Sequence, residues 1–442
     1  RTACWGGPPS YFYGRNTDQK YADRLAMVRE ANINNLRIFG WHPPEVPKFH
    51  ELCDRLGITV WTNFSFATQA FEATPEFMEP TLRECEAIVK ERRNHPSNIF
   101  WMGGEEVYFS HAHVDSDNKL IMEEVGKVVA RVTNVPYAPA SPMSAEFGQK
   151  LGFKPKESAH ANEHYYSAEA QTLMEEYYPS LDYCVIPELT AASAPEIESL
   201  KKFIPANELW PMGPSWGYHW ADLDIFRALN LQVVGSESTG SLQEFVDATQ
   251  VSQGTIFQFG LEHMRRRKPK SSAISICHFI TWAPDFKWGI VDYFQQKKLS
   301  FDFVRRAYQP VLASMQFDKR RWLPGETFTG RLWVVNDRHE AFPNCTLKTT
   351  VRDVGGVVLH EQSDAIPAVP VNSSAQYADL EWKVTDTSAG NFRVDLELTD
   401  GAGRVLSSNY YVLLRGDQEA AKAECMRLSK ELRELKYSYP KS

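Results

Sequence analysis

The chain has 442 residues, 43% hydrophobic and 24% charged, with a formal net charge of −8. That length suits two or three globular domains, and the acidic balance argues against nucleic acid as a partner. No apolar run is long enough to span a membrane, and the seven scattered cysteines contain no CxxC pair, which excludes zinc-ribbon and thioredoxin chemistry and leaves the compartment open.

RTACW, at the start of the chain, reads as a short strand with no Met or signal peptide ahead of it, as expected for a piece of a longer protein. A helix follows over 17–31, capped by Thr17 or Asn16. NNLRIF (34–39) is a strand, 46–55 a helix stopped by Gly57, and ITVWTNFSF (58–66) a strand rich in β-branched and aromatic residues. A helix over 75–93, the strand NIFWMGG (98–104), a helix over 114–132 and the short strand YAPAS (137–141) come next. AHANEHYY (159–166) and LDYCVIPE (181–188) are strands, with helices over 168–177 and 194–203. Beyond a Trp-, Pro- and Gly-rich loop (205–220), helices over 226–229 and 242–264 lead to a last strand, SSAISICHFITW (271–282). Eight strands, each followed by helical sequence, predict an α/β fold, a (β/α)8 TIM barrel over residues 1–314. A doubly wound sheet fits less well, because WGGPPSYFYG is a poor phosphate-binding turn.

From about residue 315 the pattern alternates with period two. GRLWVVND, TLKTTVRD, GVVLHEQ, YADLEWKV, NFRVDLELTD and NYYVLL predict a C-terminal immunoglobulin-like β-sandwich over 315–416, followed by a helical tail over 417–442.

In such a barrel the working residues stand at the carboxyl ends of the strands. WMGGEEV brings Glu105 and Glu106 to one strand end, and CVIPEL brings Glu188 to another. Two glutamates on separate strands of one barrel mouth are what glycoside hydrolysis requires. The competing reading is that Glu106 and Glu188 form surface salt bridges, as most glutamates do. The 12 tryptophans and 18 tyrosines suit stacking on sugar rings as well as ordinary packing.

The segments NINNLRIFGWHPPEVPKFHELCDRLGITVWTNFSF (32–66) and RRNHPSNIFWMGGEE (92–106) resemble glycoside hydrolase family 2. The closest branch is that of the β-mannosidases and exo-β-glucosaminidases. YPSLDYCVIPELTAASAPEIESLKKFI (178–204) is similar to the family's nucleophile segment, and 289–315 and WVVND (333–337) also fit. The resemblance implies a retaining β-glycosidase with Glu106 as acid/base and Glu188 as nucleophile. Glu237, in VVGSESTGS, is a rival nucleophile set aside because it falls between segments that follow the nucleophile in the family.

The same resemblance implies sugar contacts from Glu105, Trp41, His42, Asn63, His164, Tyr165 and Trp282, with Trp282 as a platform at the end of strand eight. Trp210, Trp216 and Trp220 are assigned to packing. Glu105 stands where the family usually has Asn, which suits a 2-amino sugar or, alternatively, an ion pair with a nearby Arg. Pro187 replaces the usual Ser before the nucleophile.

No cofactor and no metal are expected, since His111 and His113 lack a third ligand in sequence and His160 and His164 suit hydrogen bonding. The expected partner is an oligo- or polysaccharide substrate, with no nucleic acid and no membrane. The resemblance also implies further N-terminal β-sandwich domains outside this chain. The expected location is secreted or periplasmic rather than cytoplasmic. The alternative function is a non-catalytic carbohydrate-binding barrel.

Overall fold

The computed structural model describes residues 1–8, 13–108, 110–143, 150–152, 162–165, 173–180, 183–221, 223–385 and 390–434. Eight strands form one sheet: β1 (Thr2–Cys4), β2 (Asn35–Ile38), β3 (Thr59–Ala67), β4 (Asn98–Glu105), β5 (Tyr137–Ser141), β6 (Asn162–Tyr165), β7 (Val185–Thr190) and β8 (Ala273–Cys277). They run in the order β5-β4-β3-β2-β1-β8-β7-β6, and every ladder is parallel. That is the cyclic order of a (β/α)8 barrel. Among the described residues no ladder joins β5 to β6, but Ser141 Oγ and His164 Nε2 bridge their ends at 2.7 Å.

Local chemistry sets the elements around the barrel. Helix Asp18–Glu30 starts at Thr17, whose hydroxyl accepts from the Lys20 N–H. Helix Pro47–Leu56 begins with proline, whose missing N–H is harmless in the first turn, and ends at Gly57 with φ 67°. Strand β2 is buried throughout, as expected of a strand sandwiched between barrel interior and helices.

Several boundaries differ from the sequence reading. The helix expected over 114–132 is split into His111–Val114 and Asn118–Val132. At the break, the Asp117 and Asn118 side chains accept from the Ala73 and Phe71 N–H groups, and Ser116 donates to the His113 carbonyl. The helix expected over 194–203 shortens to Ile197–Leu200. Strand β8 stops at Cys277, because the backbone beyond it bonds to the 288–291 segment instead (Val291 N–H to Phe279 O, Thr281 N–H to Val291 O). Trp282 therefore sits in the loop after the strand. The helix expected over 168–177 begins at Met174 among the described residues; 166–172 lie outside them, as does His160.

The remaining strands form two facing sheets, a five-stranded one ordered β10-β16-β15-β12-β13 and a three-stranded one ordered β14-β11-β9. Their ranges are β9 (Val311–Gln316), β10 (Arg321–Trp322), β11 (Thr327–Asn336), β12 (Phe342–Asp353), β13 (Val358–Val369), β14 (Ser373–Lys383), β15 (Phe392–Thr399) and β16 (Val405–Arg415). This is the immunoglobulin-like sandwich, with inward side chains alternating along strands such as β15. Strand β9 was not expected: VLASMQ is almost continuously buried, so it shows no alternation, and it starts ahead of residue 315. The sandwich is anchored to helix Leu242–Arg266 by a buried polar cluster in which Glu262 accepts from the Ser314 and Tyr411 hydroxyls at 2.5 Å. The final helix, Gln418–Glu434, docks through buried Cys425 and Leu428. No helix among the described residues is long and apolar enough to cross a membrane.

Candidate active site

Arg37 on β2 is the hub of the site. It is fully buried, donates from Nη1 to Glu188 Oε1 at 2.7 Å, and donates from Nη2 to Glu105 Oε2. Asn63 Nδ2 on β3 also donates to Glu105 Oε2, at 3.2 Å. A guanidinium fork is the side chain best shaped to hold two carboxylates in fixed geometry.

Glu105 and Glu106 are consecutive, so on a continuing strand they would face opposite sides. Strand β4 ends at Glu105, and Glu106 takes φ 52°, a left-handed conformation uncommon outside glycine. That turn brings both carboxyl groups into one cleft, with the Glu106 N–H pinned to the Ser141 carbonyl at 2.7 Å. Gly40 leaves room for them: a Cβ there would lie 2.8 Å from Glu105 Cβ and 2.7 Å from the Phe66 carbonyl.

His164 on β6 completes the cluster. Its Nδ1 lies 3.2 Å from Glu106 Oε1 and 3.5 Å from Glu188 Oε2. Its Nε2 lies 2.7 Å from the Ser141 hydroxyl and 3.8 Å from Glu105 Oε1, so both ring nitrogens face polar partners. One side-chain oxygen or nitrogen from each of Glu105, Glu106, His164 and Glu188 lies within 4.8 Å of the other three. By distance these four form a set able to hold a cation, although Arg37 already takes one oxygen each from Glu105 and Glu188.

Burial opposes the Arg37 charge, but Glu105, Cys4 and Glu188 outweigh it and hold its pKa above the ordinary value. Burial pushes the Glu105 carboxyl well up; Arg37 pulls against this, while Glu188 and Glu106 add to it through like charge.

The cleft above the cluster has a volume of about 180 Å³. Its walls are Phe39, Trp41, Trp220, Trp282 and Trp288, with His278, Thr281, Asp285 and Lys287 supplying polar groups. His278 stacks on Phe39 at 4.9 Å and is held neutral by burial, reinforced by His42 and Arg37. His278 Nε2 and Thr281 Oγ1 are buried and have no hydrogen-bond partner among the described residues. Burial raises the Asp285 carboxyl to about 6, against the Lys287 N–H bond and the Lys298 and Lys287 charges.

Of the residues expected from sequence, Glu105, Glu106, Glu188, Trp41 and Trp282 line this cleft. Asn63 stands behind Glu105, and His42 packs edge-on against Phe39 and Trp282 at 4.8 and 5.2 Å. His164 joins the carboxylates, whereas the side chain of Tyr165 lies outside the described residues. The ion pair expected for Glu105 is present, with Arg37 as its partner, whereas Glu188 makes a buried pair with the same Arg37 at the cleft floor rather than a surface salt bridge. Glu237 is elsewhere, bonded to Arg227 Nε at 2.6 Å.

One assignment needs correction. Trp216 is buried in packing, but Trp220 is 55% exposed and lines the cleft. Arg37, His278, Thr281, Asp285 and Lys287 were not singled out in sequence. For Arg37 a signal existed, because an arginine inside the apolar strand NLRI needs a buried anionic partner.

A (β/α)8 barrel with a carboxylate cluster at the carboxyl ends of its strands, followed by an immunoglobulin-like sandwich, is the architecture of glycoside hydrolases built on this barrel. Residues 13–123 match the TIM barrel domain of glycosyl hydrolases family 2, and residues 330–415 match the mannosidase Ig/CBM-like domain. Each match covers part of the chain, and together they make it similar to glycoside hydrolase family 2 and to its mannosidases in those two segments.

β-Mannosidase B of Thermothelomyces thermophilus is 25% identical over 95% of this chain and 52% of its own length. Goat β-mannosidase is 24% identical over 69% of this chain and 38% of its own. Among solved structures, the β-D-mannosidase of Dictyoglomus thermophilum superposes with a TM-score of 0.78 at 24% identity, covering 93% of this chain and 50% of that one. The exo-chitosanase of Amycolatopsis orientalis gives 0.70 at 18% identity, covering 93% and 48%. The structural likeness establishes the fold. The chain spans about half the length of these relatives.

Proposed function

We propose that this chain carries the catalytic centre of a retaining β-glycosidase acting on β-mannoside-like substrates. The observation that carries the reading is the closeness of Glu106 and Glu188, which each contribute an oxygen to a set spanning no more than 4.8 Å. A retaining mechanism uses carboxyl groups roughly 5–5.5 Å apart, whereas inversion needs roughly 6.5–9.5 Å to admit a water. Glu188, held by Arg37, is the carboxylate to attack the anomeric carbon. Glu106, the more exposed of the two at 15% against 6%, protonates the leaving oxygen and then deprotonates water.

Glu105 bears on the substrate class. Arg37 and Asn63 hold its Oε2, which leaves Oε1 to meet the sugar, and burial with two like-charged neighbours works against a full charge there. This supports a neutral 2-hydroxyl glycoside. The second reading, a 2-amino sugar as in an exo-β-glucosaminidase, requires Glu105 to be ionised.

The test is hydrolysis of aryl β-mannoside and aryl β-glucosaminide by the wild-type chain, with the anomer of the first product recorded. Mannoside preference with a β product supports the proposal, and an α product overturns it. Failure on both substrates favours the non-catalytic carbohydrate-binding barrel. The resemblance further supports N-terminal β-sandwich domains as partners of the site; the secreted or periplasmic location is a separate proposal, which fractionation of expressing cells tests.

A further inference from the structure

Trp220 was read from sequence as a packing residue, but it has three features that packing does not explain. Its indole is 55% exposed while lining the cleft that contains Glu106. Its backbone has φ 65°, a left-handed conformation that is a true outlier for a bulky side chain. And the segment around it is pinned. The His219 ring lies 2.7 Å from the Pro284 carbonyl through Nδ1, Phe286 N–H donates to His219 O, and Trp216 beside it is fully buried. An exposed aromatic on a strained but braced backbone is held out deliberately.

The cleft itself, at about 180 Å³, is small. Drug-sized sites run to roughly 300–1,000 Å³. It suits a single sugar ring, so the second ring of a disaccharide must lie at the rim. With Glu106 as the acid, the leaving oxygen faces the more exposed of the two carboxyl groups. Among the described residues, the exposed aromatic residues of the rim are Trp41 and Trp220. The Lys287 ammonium lies 5.2 Å from the Trp220 ring centre and 5.4 Å from that of Trp288, steadying the indole from one side.

We infer that Trp220 is the platform of a leaving-group subsite, stacking on the apolar face of the sugar ring on the far side of the scissile bond. The inference rests on the glycosidase reading and deepens it by naming the side chain that meets the leaving-group sugar.

The experiment compares β-mannosyl fluoride, whose leaving group has no ring to stack, with β-1,4-mannobiose. For W220A, the ratio of kcat/KM on mannobiose to kcat/KM on the fluoride is expected to fall about tenfold or more, with W220F recovering most of it. Equal losses on both substrates, or an unchanged ratio, overturn the subsite. Lack of turnover of both substrates by the wild-type chain overturns the glycosidase reading itself, a different result from parallel loss in the variant.

Discussion

Replacing Arg37 with Met removes the cation that two buried carboxylates share. Arg37 and Glu105 are within 1% of full burial and the Glu188 side chain is 6% exposed, so solvent gives little compensation. Breaking a buried ion pair by removing one partner costs about 3–5 kcal/mol. For a domain of barrel size that corresponds to a fall in Tm of roughly 5–10 °C. Without the guanidinium, Glu188 loses its favourable charge partner and the carboxyl cluster retains a proton to higher pH. The destabilisation is therefore largest at pH 7–8 and shrinks on acidification toward pH 4, where the orphaned carboxyl groups are neutral. Calorimetry of wild type and R37M across this pH range reads both quantities. In active preparations the acidic limb of the kcat/KM profile moves upward in pH. A loss below about 1 kcal/mol, or one independent of pH, would show that Arg37 does not hold this cluster in its ionised form.

Further outcomes follow from the same geometry. E105Q is isosteric with a protonated Glu105 and should retain most mannoside turnover, measured as kcat/KM; a loss of a hundredfold or more would mean that Glu105 works as an anion. Asp285, with its carboxyl raised from 3.8 to about 6, is neutral when folded over a window in which the unfolded chain is ionised, so its contribution to stability falls as pH rises from 4 to 6. D285N should accordingly be more stable than wild type at pH 8 by up to about 3 kcal/mol and gain nothing at pH 3, as read from denaturant midpoints. His42, lowered from 6.5 to about 4 by burial, acts in the opposite sense. Stability is present above pH 6.5 and is lost on acidification toward 4, so H42Q should flatten the Tm profile there. T281V removes an unpartnered buried hydroxyl and should raise or preserve Tm while reducing kcat/KM on a sugar whose hydroxyl it meets; an unchanged kcat/KM would remove Thr281 from the sugar wall.

The barrel was legible because each βα unit carries its own signals. Thr17 caps one helix, Gly57 ends another, and ITVWTNFSF is strand-like by composition alone. The position of Glu106 and Glu188 in the cleft was legible because strand ends are few and carboxylates at them fewer. What sequence did not give depends on contacts between distant segments. Arg37 meets Glu188 across 151 positions, and Trp220 reaches the cleft only because its loop is bonded to the 284–286 segment. Strand β9 escaped because both of its faces are covered, which erases the period-two pattern. The end of β8 was misjudged because the apolar run HFITW continues past the point where the backbone leaves the sheet.

The central claim is that Glu188 attacks the sugar while Glu106 assists. Mass spectrometry of the chain after incubation with a 2-deoxy-2-fluoro-β-mannosyl fluoride tests it directly, because such a reagent slows release of the glycosyl-enzyme. The account predicts a gain of one fluoroglycosyl unit, located on the peptide that contains Glu188 and absent in E188Q. A label on Glu237, or turnover with no label at all, would contradict it.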